Sequence, residues 1–308
     1  MKPLKIAVIG TINQDVIIFP NKKRKTGLGG IAYNISTLSA LLEDQAQIYP
    51  VCNVGADCYL RFINCFSKFS NLKLNGIKKV PQKHNTCLMY YDQNQNREEY
   101  LQGKVPSLNF AQIKPFLKSG AILVNFISGW DMSLEVLKKI RRQFQGLILL
   151  DLHSLTLGID KNHKRFLRKP KNWKAYVRGC DILQMNKTEL ETVLDKKLKT
   201  KNLNSEARAI LKSGPKAFIL TLEKEGAIIA WKVGKKTFLN RIAGIPIKKE
   251  VDNIGCGDVF GAVFLASYLI RKDITKSAQL ANRLAAKKCQ FSGVEKIKKF
   301  SRLKFNSA

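Results

Sequence analysis

The sequence predicts an α/β fold on a mainly parallel sheet, and two observations lead there. Short continuous apolar runs of strand length alternate with longer stretches whose apolar residues recur at helical spacing, and this order persists through most of the 308 residues. The composition agrees: 45% hydrophobic and 25% charged residues, with Gly 20 and Pro 9, describe a globular chain and exclude collagen, an extended disordered tail or a disulfide miniprotein.

Residues 4–9, apolar but for Lys5 near the start, are fit for a strand buried on both faces, and residues 31–42 carry a helical apolar stripe. Further strands are expected at 48–51, 121–127, 147–151, 182–185 and 217–221, with helices at 59–69, 133–144, 187–195, 205–212 and 259–270. Two segments break the rhythm. Residues 14–19 follow the first strand closely, and residues 86–91 can pair with 97–101 across the polar turn 92–96. Together they predict a small antiparallel sheet, read as a lid formed by about 13–26 and 86–103 within one domain spanning 1–308. The basic end, residues 296–308, is expected to be loosely held.

Charge is the outlier, with 54 Lys+Arg against 23 Asp+Glu for a net +31 and a pI near 10.0. Such a surface attracts polyanions, including phosphorylated substrates, nucleic acid and anionic membranes. The lysines, however, are scattered through the predicted helices, so a dedicated nucleic-acid role is not expected. The densest run, Lys22, Lys23, Arg24 and Lys25, reads as a solvated loop that could attract a phosphorylated acceptor. Phe166, Trp173 and Tyr176 lie among basic residues, but Trp173, Tyr176 and Val177 fall at helical spacing and predict a packed short helix.

The 7 Cys form no CxxC pair and the 3 His stand far apart, so no zinc framework is visible and a reducing compartment fits. Residues 4–9 end at Gly10 without a signal-type cleavage site, and the longest apolar stretch, 259–270, is short of the ~20 residues a spanning helix needs. A cytoplasmic protein without membrane attachment is the expectation.

Three segments carry candidate chemistry. In Asp252, Asn253, Ile254, Gly255, Cys256, Gly257, Asp258, small residues let the backbone aim N–H groups at one point where a helix begins, an arrangement that cradles an anion. Asp258 at its rim can take a proton from a hydroxyl; a helix-capping aspartate in a glycine turn is the plainer alternative. Gly27, Leu28, Gly29 and Gly30 precede another apolar helix, with Asn34 one turn in, and either admit a substrate to the backbone or simply start the helix. Asn186 and Glu189 either cap a helix or bring a carboxylate near a magnesium ion carrying nucleotide phosphates. His153, just past a strand end, is a lesser candidate for ligand contact; Cys256 reads either as a small residue filling the turn or as a thiol whose pKa a helix N-terminus would lower.

In their order and spacing these segments resemble the ribokinase-like (PfkB) family of carbohydrate and nucleoside kinases, from Asp15 to Asn282, the 252–258 signature being the most specific part. The resemblance implies a three-layer αβα fold with a β lid and an ATP-dependent kinase that phosphorylates a hydroxyl of a sugar-like molecule. It implies Asp258 as general base, with Gly255, Cys256 and Gly257 as anion hole. Asp15, Gly29, Gly30 and Asn34 would hold the acceptor; Asn186, Thr221, Glu223, Gly226 and Asn282 the nucleotide. Glu189 would organise Mg2+ through water, and Asp252 with the Ile254 carbonyl fall where some relatives bind a monovalent cation. Relatives often pair through their lids, which leaves a homodimer through the lid open. Many sugar kinases of the family read DTxGAGD where this chain has Asn253 and Cys256, changes that leave the hole and the base intact; many fructokinase-like and ketodeoxygluconate-kinase-like members read DxNxR where it has Asp151, Leu152, His153, Ser154 and Leu155, which argues against borrowing their substrate. The alternatives left open are a nucleoside kinase, with Tyr33 or Tyr90 stacking on the base, and an inactive member that binds RNA or protein through its basic surface.

Overall fold

The computed structural model describes residues 3–94, 96–248 and 250–302. Its body is a nine-stranded sheet. The strands are β1 (Leu4–Gly10), β4 (Ala46–Gly55), β5 (Ile77–Val80), β8 (Ala121–Asn125), β9 (Leu147–Asp151), β12 (Ile182–Asn186), β13 (Ala217–Thr221), β14 (Gly226–Val233) and β15 (Lys236–Ala243), in the order β15-β14-β13-β12-β9-β8-β1-β4-β5. All neighbours from β5 to β13 are parallel, whereas β14 and β15 add an antiparallel edge that the periodicity did not separate.

Strand residues alternate between two cores, as a pleat buried on both faces requires. Ile6 and Val8 join one cluster with α1 (Ile31–Leu42), α2 (Tyr59–Phe66), α8 (Cys256–Arg271) and α9 (Ile274–Lys288). Ala7 and Ile9 join the other with α3 (Phe110–Ile113), α4 (Leu134–Gln143), α5 (Trp173–Val177), α6 (Lys187–Leu194) and α7 (Leu203–Leu211). Helices on both faces of the sheet make three αβα layers. Trp173 and Val177 are indeed buried in α5. Every residue of α1 is buried, because it lies between the sheet and the last segment, Glu295–Arg302. There the expectation of a loose end fails for residues 296–302: Ile297 and Phe300, at i and i+3, are fully buried in the α1 core. Residues 303–308 lie outside the described residues.

The two irregular segments form a four-stranded sheet, β3-β2-β6-β7, from β2 (Ile12–Ile18), β3 (Arg24–Gly30), β6 (Thr86–Tyr91) and β7 (Arg97–Gln102). It is mixed rather than antiparallel, since β2 and β6 run parallel. Gly27 to Gly30 belong to β3 instead of a loop, paired to Asp15 through Ile12. Next to this sheet stands a short hairpin, β10 (Leu157–Ile159) and β11 (Arg165–Leu167). Gln95, in the turn expected at 92–96, lies outside the described residues. No described helix is long and apolar enough to cross a membrane.

Candidate active site

Parallel sheets present a row of side chains at the carboxyl ends of their strands, where helix N-termini also converge. Here the in-register ends of β8, β9, β12 and β13 are Asn125, Asp151, Asn186 and Thr221, with Gln184 paired to Asp151. Above Asp151, Gln184, Asn186 and Thr221 opens a cleft of about 790 Å3, walled also by the α8 start, Asp15, Arg97 and Glu99 of the small sheet, and Arg165 of the hairpin.

Asp258, 6% exposed, lies in the first turn of α8 and lines this cleft. Asn125 Nδ2 donates to its Oδ1 at 2.7 Å and to Asn34 Oδ1 at 3.0 Å, while Asn34 Nδ2 donates to the Asp258 carbonyl at 2.8 Å. Burial pushes the Asp258 carboxyl above the usual range, opposed by His153, the Asn125 amide and Lys288. A buried carboxyl raised in this way is a stronger base once ionised, which suits it to take a proton from a nearby hydroxyl.

Asn34 thus does something different from the sequence expectation. Its amide ties α1 to α8 from behind the wall instead of reaching toward an acceptor. Gly29 likewise stands behind Asp15: a Cβ there would fall 2.0 Å from the Asp15 carboxylate. Asp15 itself lines the cleft with Gly30, and its carboxyl is raised by burial and by the nearby Glu99 and Asp258.

At the α8 start, Gly255 holds φ 79°, a left-handed conformation that favours glycine, and packs on the Tyr33 ring. Gly255 and Gly257 line the cleft, whereas Cys256 turns away and its N–H donates to the Asn253 carbonyl at 3.2 Å. Its thiol lies 2.8 Å from that of Cys289, and this hydrogen bond, then burial, push the Cys256 thiol up, reversing the lowering expected from the helix N-terminus alone.

At the other end of the cleft, Asn186 and Glu189 form a reciprocal capping box. Glu189 N–H donates to Asn186 Oδ1 at 2.8 Å and Asn186 N–H to Glu189 Oε2 at 2.9 Å. Capping and cleft lining coincide here, so neither reading of these residues excludes the other. Glu189 and Asp151 are both pushed up by burial, and Asp151 also by the charges of Glu189 and Asp258. Gln184 Nε2 donates to Asp151 Oδ2 at 2.7 Å and to the Gly257 carbonyl at 3.0 Å, joining the sheet end to the α8 turn. Thr221 and Glu223 line this end as well. Gly226 and Asn282 do not: Gly226 packs under Ile242 and Gly244, and Asn282 Nδ2 donates to the Ala243 carbonyl at 2.8 Å, which ties α9 to β15. His153, at φ 37°, lines the cleft.

Sequence reasoning passed over Asn125, Gln184, Arg97, Glu99 and Arg165. Asn125 and Gln184 had a usable signal, a polar residue in the last positions of an apolar strand; the others come from sheet segments whose inward faces no pattern announced.

A cleft at the carboxyl edge of a parallel sheet, with a carboxylate set in the glycine turn that opens a buried helix, is the architecture of a small-molecule phosphotransferase. Residues 3–299 match the family described as pfkB family carbohydrate kinase, and the chain belongs to it. It is 24% identical over 275 residues to a cytidine kinase of Thermococcus kodakarensis, covering 86% of this chain and 88% of that protein. It is 22% identical over 279 residues to an ATP-dependent 6-phosphofructokinase of Thermoanaerobacterium thermosaccharolyticum, covering 87% and 81% respectively. The structure of Arabidopsis thaliana ribokinase complexed with ribose and ATP superposes with a TM-score of 0.76 over 100% of both chains at 18% identity, a likeness of fold.

Proposed function

We propose that this chain is an ATP-dependent kinase that moves the γ-phosphoryl group to a hydroxyl of a sugar or sugar-like small molecule. The observation that carries the reading is the Asp258 carboxyl, oriented by Asn125 at the mouth of the Gly255–Gly257 turn and open to the cleft. In this reading Asp258 takes the hydroxyl proton as the oxygen attacks, and the N–H groups of Gly255 and Gly257 face the charge on the migrating phosphoryl, the Cys256 N–H being held by the Asn253 carbonyl instead. Little covalent work falls to the protein in such a transfer, so orientation and electrostatics supply most of the acceleration.

The acceptor end is assigned to Asp15, Gly29, Gly30 and, as a support behind the wall, Asn34. The nucleotide end is assigned to Asn186, Thr221 and Glu223, with Gly226 and Asn282 shaping the corner beyond. The residues at that end fit a magnesium ion. Asp151 and Glu189 are buried carboxyls that repel each other, and among the described residues no group of three or more His, Cys, Asp or Glu could hold a metal by itself. A hard divalent ion held by one or two carboxylates together with nucleotide phosphates is the usual solution. When bound, the ion would neutralise phosphate charge. The sheet β3-β2-β6-β7 is assigned as the lid over the acceptor, excluding water on closure. Pairing of two copies through it would cover its exposed Phe19 and Tyr90.

A sugar-like acceptor is favoured over a nucleoside by the aromatic residues. Tyr33 lines the cleft but shows little of its ring, 3% exposed with Gly255 against it and Lys288 over it, and Tyr90 packs edge-on with Tyr100 at the surface. The test is a phosphoryl-transfer screen of sugars, sugar phosphates, polyols and nucleosides with ATP and magnesium. Asp258→Asn should lower turnover ~10²–10⁴-fold with the fold retained; undiminished turnover in that variant would refute the assignment.

A further inference from the structure

The family resemblance puts a monovalent cation beside Asp252 and the Ile254 carbonyl, and at Asp252 stands a buried cationic side chain of this protein. Lys288, at the end of α9, is 0% exposed. Its Nζ lies 3.3 Å from the Asp252 carbonyl, 3.3 Å from the Phe291 carbonyl and 3.9 Å from Asp252 Oδ2. It also stands over the rings of Tyr33 and Phe291, 5.3 and 5.7 Å from their centroids. An ammonium has three donors and no acceptor, and every polar neighbour named here is an acceptor. Burying so long and polar a side chain costs rotamer freedom and solvation, which only such a shell of partners offsets.

The same shell holds the anion loop. Asp252 Oδ1 accepts the Ile254 N–H at 2.9 Å, Oδ2 accepts the Ser292 hydroxyl, and the N–H groups of Val251 and Asp252 donate to the Cys289 carbonyl. A free potassium ion among these oxygens would share its position with the ammonium, two like charges within contact distance. The residues present therefore do not fit a free cation.

We propose that Lys288 is a built-in monovalent cation: its ammonium binds Asp252 to the 289–292 turn, fixes the loop that enters Gly255–Gly257, and makes phosphoryl transfer independent of potassium. Lys288 is on this account a positioning residue. The inference rests on the kinase reading for its catalytic consequence, but its structural half does not.

The wild-type protein is assayed with magnesium, ATP and the acceptor found by the screen in potassium, sodium and choline chloride at equal ionic strength. Turnover is expected to be the same in all three; a requirement for potassium overturns the proposal. Lys288→Ala is expected to lose roughly 10–100-fold in kcat, the usual effect of removing a supporting partner, and to recover in potassium or ammonium chloride but not in choline chloride. Packing loss alone would show no such selectivity. The acidic limb of its kcat/KM profile should also move to higher pH, because a positive charge near Asp258 is gone. Melting needs no turnover: potassium should raise the melting temperature of Lys288→Ala over choline and leave the wild type unchanged. A folded Lys288→Ala indifferent to potassium in both measurements overturns the proposal. Should that variant not fold, wild-type crystals soaked in thallium(I), a potassium surrogate, decide by anomalous scattering: no peak between the Asp252 and Phe291 carbonyls is expected, and a peak there overturns it. If Asp258→Asn retains turnover, the kinase reading fails while the melting and thallium results still judge Lys288.

Discussion

Residues 29–30 and 255–257 are both glycine-bearing approaches to a buried helix at one cleft, yet their glycines answer different needs. At Gly29 a side chain would occupy the space of the Asp15 carboxylate, and at Gly255 it would strike the Tyr33 ring from a left-handed backbone. At Gly257 a Cβ would meet nothing within 4 Å. The first kind lets protein groups approach one another; the second leaves room at the cleft wall for something else. A glycine signature therefore mixes packing with function, and only the surroundings separate them.

That contrast can be tested directly. Gly255→Ala carries the largest expected loss of stability, ~1–3 kcal/mol for the left-handed backbone alone before the Tyr33 ring is displaced, seen as earlier melting and reduced turnover. Asn125→Ala should follow, destabilising by about 1–3 kcal/mol where buried Asp258 and Asn34 oxygens lose their donor. It should also move the acidic limb of kcat/KM to higher pH, since the amide that favours ionised Asp258 is gone; an unmoved limb would separate Asp258 from the rate.

Asp151→Asn should act in the opposite direction and stabilise the protein without ligands by about 0.5–2 kcal/mol at neutral pH. The sign follows from a folded pKa raised by burial and by Glu189. The stability linked to protonated Asp151 is fully present below the unfolded carboxyl value of about 4 and is lost as pH rises through the folded one. Asparagine cannot ionise, so its advantage should vanish on acidification; a gain that persists at low pH would refute this account. Smallest on stability is Gly257→Ala, which should melt within about 0.5 kcal/mol of the parent while turnover drops. If it melts as early as Gly255→Ala, the two glycines are alike and the contrast is lost.

Much of the body was legible because a strand buried on both faces must be apolar throughout, as residues 6–9 and 147–150 are. The antiparallel edge β14–β15 was not, since half-exposed strands such as Lys236–Ala243 carry mixed burial and no clean run. Gly27–Gly30 escaped as a strand because glycines suggest a turn, and only pairing with Ile12–Asp15 holds them extended. In the site, the 252–258 motif announced itself through local backbone needs. Asn34 was misdirected and Asn125 overlooked for one reason: their partners lie 224 and 133 residues away in sequence.

From the sequence alone came the alternation that dictates a layered α/β body and the local chemistry of a carboxylate at a glycine turn, because both depend on neighbours in the chain. Which groups meet that carboxylate was decided by tertiary structure. Parallel register set Asn125 beside it, and the packing of α9 on α8 carried Lys288 beneath the Asp252 loop, since contacts between distant segments follow from how layers stack and leave no periodic trace in the chain.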